Sequence, residues 1–173
     1  PRRRSCPSGR RDHPCRRAVQ IDFAGFDLSK REYKIFTHAA SLKGTIAYSI
    51  LRLAGYKKDK YLLSCFGKGG MLPIEAALFA SGKAVNYYRK DKFLFPNYLK
   101  SSQEFLKDNF NEDTLKIKEV NADMRLVSAG KKNAKIAGID RLIDFARIET
   151  EWLDIKFKEK EIVGLLDINL DEE

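Results

Sequence analysis

The spacing of apolar positions changes several times along the chain, and each change marks an element. AVQIDFAGF (18–26) alternates apolar and polar side chains, as a half-buried strand does. DLSK supplies a turn, and REYKIF (31–36) reads as the return strand, so residues 18–40 are expected to form a β-hairpin leading into the domain. In SLKGTIAYSILRLAG (41–55), Leu42, Ile46, Ile50, Leu51 and Leu53 recur at helical spacing, with Ser41 as N-cap and Gly55 as stop. KYLLSCF (60–66) is short and nearly all apolar, the pattern of a buried parallel strand. MLPIEAALFASG (71–82) predicts a helix that tolerates Pro73 because it falls in the first turn, and Gly82 closes it.

Beyond an irregular stretch with helical character in YLKSSQEFLKDNF, TLKIKEVN (114–121) alternates as a strand. MRLVSAGKKNAKIAG (124–138) reads as a helix ending at Gly138, and LIDFARIE (142–149) and EIVGLLDI (161–168) read as strands. Strands alternating with helices predict an α/β fold with a Rossmann-like, doubly wound parallel sheet. There is no internal repeat. The expected domain covers 41–173, and its sheet reads as incomplete, ending soon after the fourth strand.

Charge adds a second feature. The 173-residue chain carries +9, but residues 1–17, PRRRSCPSGRRDHPCRR, hold seven Arg and no Lys. That segment accounts for +6 of the total and has no apolar period. It reads as a disordered basic arm or a vector-derived tail, with an RNA-binding arm as the sharper alternative. Cys6, His13 and Cys15 lack a fourth ligand at zinc-site spacing, so no metal site is expected. Cys65 reads as a buried free thiol. No apolar run reaches the ~20 residues that span a bilayer, and no signal peptide is evident, so a cytoplasmic protein without a membrane partner is expected.

The chemistry concentrates in SCFGKGGMLPIEAAL (64–78), where three glycines join a strand to a helix. Such a turn lets a ligand approach the backbone and offers the free N–H groups of the helix start. It matches neither the dinucleotide fingerprint nor the phosphate loop, so a tight structural turn remains an equal reading, and a nucleotide site using Lys68 a weaker one. The second predicted strand ends at Asn121 and Asp123, suited to ribose hydroxyls, although Asp123 is also placed to cap the next helix. The third ends near Glu149, suited to an adenine amino group. Polar tips on successive strands suit an adenosyl ligand.

DLSKREYKIFTHAASLKGTIAYSILRLAG, the loop with PIEAAL, NADMRLVSAGKKNAKIAGI and IDFARIE occur in that order. Together they resemble the methyltransferase domain of the THUMP-associated class I RNA methyltransferases, which include the tRNA guanine-N2 methyltransferases. The resemblance covers roughly 20–168. It implies a class I methyltransferase fold, S-adenosylmethionine as cofactor, and RNA, tRNA above all, as partner. The family's loop reads D-P-F/M-C-G-S-G-T-I-x-I-E-A-A. Aligned on IEAA, Ser64 stands for its Asp, Cys65 for Pro, Gly67 for Cys, Lys68 for the first Gly, Gly69 for Ser and Met71 for Thr, while Phe66 and Gly70 are retained. Asn121 and Asp123 stand for its D-x-D, and Glu149 for its third-strand Asp.

The resemblance thus implies a cofactor site of Phe66, Gly67, Lys68, Gly69, Gly70, Asn121, Ala122, Asp123, Glu149 and Thr150, with Ala40 and Leu42 closing the methionine end. Lys68 could pair with the cofactor carboxylate or oppose the sulfonium. The family's catalytic (N/D)-P-P-(Y/F) tetrapeptide is absent, and Asn169 is its nearest formal counterpart. Two functions stay open: an RNA methyltransferase or a fragment of one, and a catalytically inactive methyltransferase-like protein binding RNA or a partner subunit. A second copy or a partner strand would complete the sheet. In NYYRKDKFLFPNYLK, Phe93 and Phe95 are expected in the core, and Arg89, Lys90 and Lys92 are candidate RNA contacts. His38 reads as a turn residue, and Trp152 as packing or an adenine cover.

Overall fold

The computed structural model describes residues 22–98, 110, 115–149 and 162–166. Its regular elements are α1 (Gly44–Leu53), β1 (Tyr61–Cys65), α2 (Met71–Ser81), β2 (Ile117–Asn121), α3 (Met124–Ala137), β3 (Asp144–Arg147) and β4 (Ile162–Leu166). The four strands form one parallel sheet in the order β3-β2-β1-β4. This is the Rossmann-like α/β arrangement that the alternating strands and helices predict. The strand ends carrying Cys65, Asn121 and Arg147 lie side by side, so the loops that follow them share one rim of the sheet.

Two apolar layers flank the sheet. Leu62, Ile117 and Phe145 face α2 and α3 and join the larger core with Ile74, Val127 and Ala134. Leu63, Cys65 and Val120 face the opposite side with Tyr61, Ala146 and Ile148. Helix α2 is buried on nearly every side, which explains its continuous apolar sequence; Glu75 is its one charge. Each fully buried side chain of the size of Leu62 or Ile74 contributes about 1.5–3 kcal/mol from burial.

The helices end where the glycines stand. Gly82 and Gly138 are the left-handed C-caps of α2 and α3. Gly55, also left-handed, follows α1. The C-terminal carbonyls of α3 receive a further partner: Lys83 Nζ donates to Ala137 O at 2.7 Å and Gly138 O at 3.2 Å. A cation at this helix end complements the dipole.

The structure departs from sequence expectation at the start of the domain. Residues 22–36 form turns and bends, not the expected hairpin, and no strand occupies 31–36. The alternation there has another cause. Arg31 and Tyr33 both reach Glu75 on α2, with Arg31 Nε at 2.5 Å and the Tyr33 hydroxyl at 2.6 Å. Helix α1 also starts later than Ser41, with Lys43 at its N-cap position and no side-chain cap. The helix starts at Gly44, where a Cβ would fall 2.7 Å from Glu75 Oε1 and against Arg31, so its first residue meets that ion pair without a side chain. Its buried face is Gly44, Ala47 and Leu51, leaving Ile46 and Leu53 exposed. The expected helix in 98–110 lies almost wholly outside the described residues.

Candidate functional site

The rim of the sheet is shaped first by backbone geometry at 66–70. Phe66 has φ 63°, the one non-glycine in the left-handed region among the described residues. Its N–H still donates to Val120 O at 2.9 Å, so the chain leaves β1 while held to β2. An aromatic residue in this conformation costs about 1–2 kcal/mol, a strain that functional turns often carry. Gly67 follows because a Cβ would overlap the carboxylate of buried Glu119. Gly69 (φ 95°) and Gly70 (φ 74°) complete the turn, and Gly70 caps α2. A Cβ on Gly70 would lie 3.0 Å from Gly130 Cα, so α2 and α3 approach through paired glycines.

Asn121 ends β2 directly beneath this loop. Its Nδ2 donates to Gly67 O at 2.9 Å, and its Oδ1 accepts from Asp123 N at 3.0 Å. The side chain is buried and both polar ends are engaged, so it braces the loop from below. Asp123 opens α3: its Oδ1 accepts from Arg125 N at 2.8 Å, and Arg125 Nη2 lies 3.3 Å from Oδ2. The backbone bond from Arg125, then its side chain, hold the carboxyl below its usual range. Asp123 is therefore a fixed anion at the rim. Arg147 Nε donates to Ala122 O at 3.0 Å, and its Nη2 pairs with Glu149 at 2.7 Å. Glu149 is exposed beside Ala122, not buried under the loop.

These pieces enclose a cleft of about 310 Å³ lined by Thr37, His38, Gly69, Asp123, Arg125, Leu126 and Ala129. It lies at the carboxyl ends of β1 and β2, where open parallel sheets take their ligands. Of the expected site residues, Gly69 and Asp123 line the cleft. Phe66, Gly67, Gly70 and Asn121 shape the turn beside it. Ala122 and Glu149 stand together at the β3 side. Lys68 is half-buried in the same turn. Thr150, Asn169 and Trp152 lie outside the described residues, as do Cys6, His13 and Cys15. Among the described residues no group of three or more His, Cys, Asp or Glu side chains could hold a metal ion.

The sequence reading missed Thr37, Arg125, Leu126 and Ala129 as lining residues, and Glu119 and Asn133 as buried supports. Asn133 carried a signal: it is polar on the same buried stripe as Val127, Gly130, Ala134 and Ala137. The basic patch also reads differently in three dimensions. Arg89 pairs with Glu32 and stands over the Phe26 ring, 5.3 Å from its centre, and Lys90 lies 4.3 Å from the centre of Tyr87. Phe93 and Phe95 are half-buried, and the Phe93 ring makes tilted contacts with those of Phe26 and Phe95, apart from the main core. Cys65 is a buried free thiol, its pKa raised by desolvation and then by Glu119.

A four-strand parallel sheet with a glycine turn and a cleft at its carboxyl end is the arrangement of a Rossmann-like ligand-binding domain, as the resemblance to class I methyltransferases leads one to expect. Comparison with known proteins agrees. Residues 31–165 match UPF0020, the RMKL-like methyltransferase domain, and the chain belongs to that family. It is 31% identical over 152 residues to the tRNA (guanine(6)-N2)-methyltransferase of Methanocaldococcus jannaschii, covering 84% of this chain and 40% of that protein. It is 33% identical over 140 residues to the ribosomal RNA large subunit methyltransferase K/L of Shewanella pealeana, covering 74% of this chain and 20% of that protein. The chain thus spans well under half of each of these relatives. Among solved structures, SMU.472, designated a methyltransferase and complexed with SAH, superposes with a TM-score of 0.68 at 23% identity, covering 86% of this chain and 40% of that one. That likeness shows the fold.

Proposed function

We propose that this chain is the cofactor-binding domain of an S-adenosylmethionine-dependent RNA methyltransferase, with a guanine N2 of tRNA as the target. The observation that carries the reading is the cleft between the His38 segment, Gly69 and the start of α3, with the Asp123 carboxylate at its rim. The residues fit the group. A ligand can approach the backbone at Gly69, where no side chain intervenes, and the ionised Asp123 can accept from ribose hydroxyls. The loop 66–70 would hold the amino-acid end, with Lys68 and Arg125 offering charge to its carboxylate. Ala122 and Glu149 would receive the adenine end.

The cofactor supplies an activated methyl group. The protein's part is to fix the sulfonium in place and to hold the accepting amine in line with it, which requires no metal. Support for RNA as substrate comes from the two relatives, which are named for methylation of tRNA and of ribosomal RNA.

A second reading, a methyltransferase-like protein that binds RNA or a partner subunit without catalysis, draws on one observation. Asn121, at the ribose-binding position, spends both polar ends on the loop and on α3. The discriminating experiment incubates the chain with methyl-labelled S-adenosylmethionine and with tRNA or ribosomal RNA, followed by nucleoside analysis. N2-methylguanosine supports the first reading. Salt-sensitive RNA binding with neither methyl transfer nor binding of S-adenosylmethionine supports the second.

A further inference from the structure

Asn133 has no part in the site as described, yet it touches every wall of it. It is fully buried on α3. Its Oδ1 accepts from Phe36 N at 2.9 Å and Ile35 N at 3.3 Å. Its Nδ2 donates to Phe36 O at 2.9 Å and to Gly69 O at 3.1 Å. A carboxamide has two donors and two acceptor lone pairs, and all four are used here. The partners belong to two segments far apart in sequence, and the side chain comes from a third.

Those three segments are the ones that line the cleft. Thr37 and His38 follow Phe36 directly, Gly69 is bonded itself, and Leu126 and Ala129 lie on the same helix as Asn133. The fit between them is close. A Cβ on Gly69 would lie 3.3 Å from Phe36 O and 3.6 Å from Asn133 Nδ2. Ile35 is 62% and Phe36 40% exposed, so beyond the anchoring of Arg31 and Tyr33 on Glu75 apolar burial holds this end of the stretch only in part. The carboxamide is the side chain that bonds both Phe36 and Gly69, and so it ties the 36–38 segment directly to the glycine turn.

We infer that Asn133 is a positioning residue for the amino-acid end of the bound cofactor: by tying Phe36 to Gly69 it sets the width of the cleft on that side. This rests on the S-adenosylmethionine reading above. Asn133 meets no ligand itself. Its effect falls on ligands that extend past the adenosyl group into the space between His38 and Gly69. A ligand confined to the Asp123, Ala122 and Glu149 side does not depend on it.

The test is calorimetric titration of the whole chain and of Asn133→Ala and Asn133→Ser with two ligands. One is S-adenosylhomocysteine; the other is 5′-methylthioadenosine, the same adenosyl thioether without the amino-acid portion. Urea unfolding of each variant accompanies the titrations. Asn133→Ser removes the carboxamide but keeps a small, neutral polar side chain and buries no charge against Phe36 O and Gly69 O, so it provides a second variant if Asn133→Ala does not fold. The expected result is a loss of about tenfold or more in S-adenosylhomocysteine affinity, with 5′-methylthioadenosine affinity little changed. Equal loss for both ligands, wild-type affinity for both, or unfolding of both variants would overturn the inference. If the wild-type chain binds neither ligand, it is the cofactor reading itself that fails.

Discussion

The contact most open to a quantitative test joins Arg31, Tyr33 and Glu75. Glu75 is 1% exposed on an otherwise apolar helix, and the Arg31 side chain is 8% exposed. The carboxylate accepts from Arg31 Nε at 2.5 Å and from the Tyr33 hydroxyl at 2.6 Å. In Glu75→Ala both donors stay buried without their acceptor, and breaking one side of such a pair costs about 3–5 kcal/mol. Tyr33→Phe removes one hydrogen bond to a charged group, about 1.5–3 kcal/mol. Because Tyr33 has no acceptor left once Glu75 is gone, adding Tyr33→Phe to Glu75→Ala should cost much less than it does alone, a coupling of roughly 0.5–3 kcal/mol. Urea unfolding followed by circular dichroism measures all three variants. Glu75→Ala within about 1 kcal/mol of wild type, or strictly additive losses, would refute the view that this triad docks residues 31–36 on α2.

Other consequences follow from the same structure. Gly67→Ala presses a Cβ into the Glu119 carboxylate and should cost about 1–3 kcal/mol in urea unfolding; adding Glu119→Ala should recover part of that loss, and no recovery would mean the two residues are not in conflict. Desolvation, then the Glu75 carboxylate, raise the Tyr33 pKa, and desolvation, then Asp59, push Tyr56 up to about 12 from 10.0. Folded-state values above the unfolded ones mean these groups contribute full stability below pH 10 and lose it above; a pH series should show alkaline destabilisation, reduced in Tyr33→Phe. Cys65 should resist alkylation until the protein unfolds, read peptide by peptide by mass spectrometry, since burial and Glu119 both disfavour its thiolate. Rapid native-state labelling would contradict that burial.

The parts of the fold that depend on local pattern were legible in the sequence. The strand through Leu62 and Leu63, the helix ending at Gly82 and the helix between Asp123 and Gly138 all lie close to where apolar period and glycine position put them. The hairpin was misread because Arg31 and Tyr33 alternate for a different reason: both point at one carboxylate 42 to 44 residues away. Ser41 looked like an N-cap, but α1 begins at Gly44, whose missing side chain leaves room for that ion pair.

The site was legible as a location and less so as a set of roles. The glycine turn and Asp123 meet at the cleft as expected, whereas Asn121 is turned inward to hold Gly67. Whether a strand-end Asn faces a ligand or its own loop depends on the backbone around it, which no spacing rule encodes. The same holds for Asn133, whose partners at 35–36 and 69 come together only in the folded chain. Arg89 shows the converse, a basic residue in a promising cluster that is spent on Glu32 and Phe26.

The central claim is that the turn at 66–70 and the rim at Asp123 form a working S-adenosylmethionine site. Calorimetric titration of the folded wild-type chain with S-adenosylhomocysteine tests it most directly. Saturable one-to-one binding is predicted, weakened in Gly69→Val, where a left-handed backbone (φ 95°) and the close approach of Phe36 O leave no place for a branched side chain. A folded protein that gives no binding at millimolar ligand would contradict it and leave the glycine turn with a structural role alone.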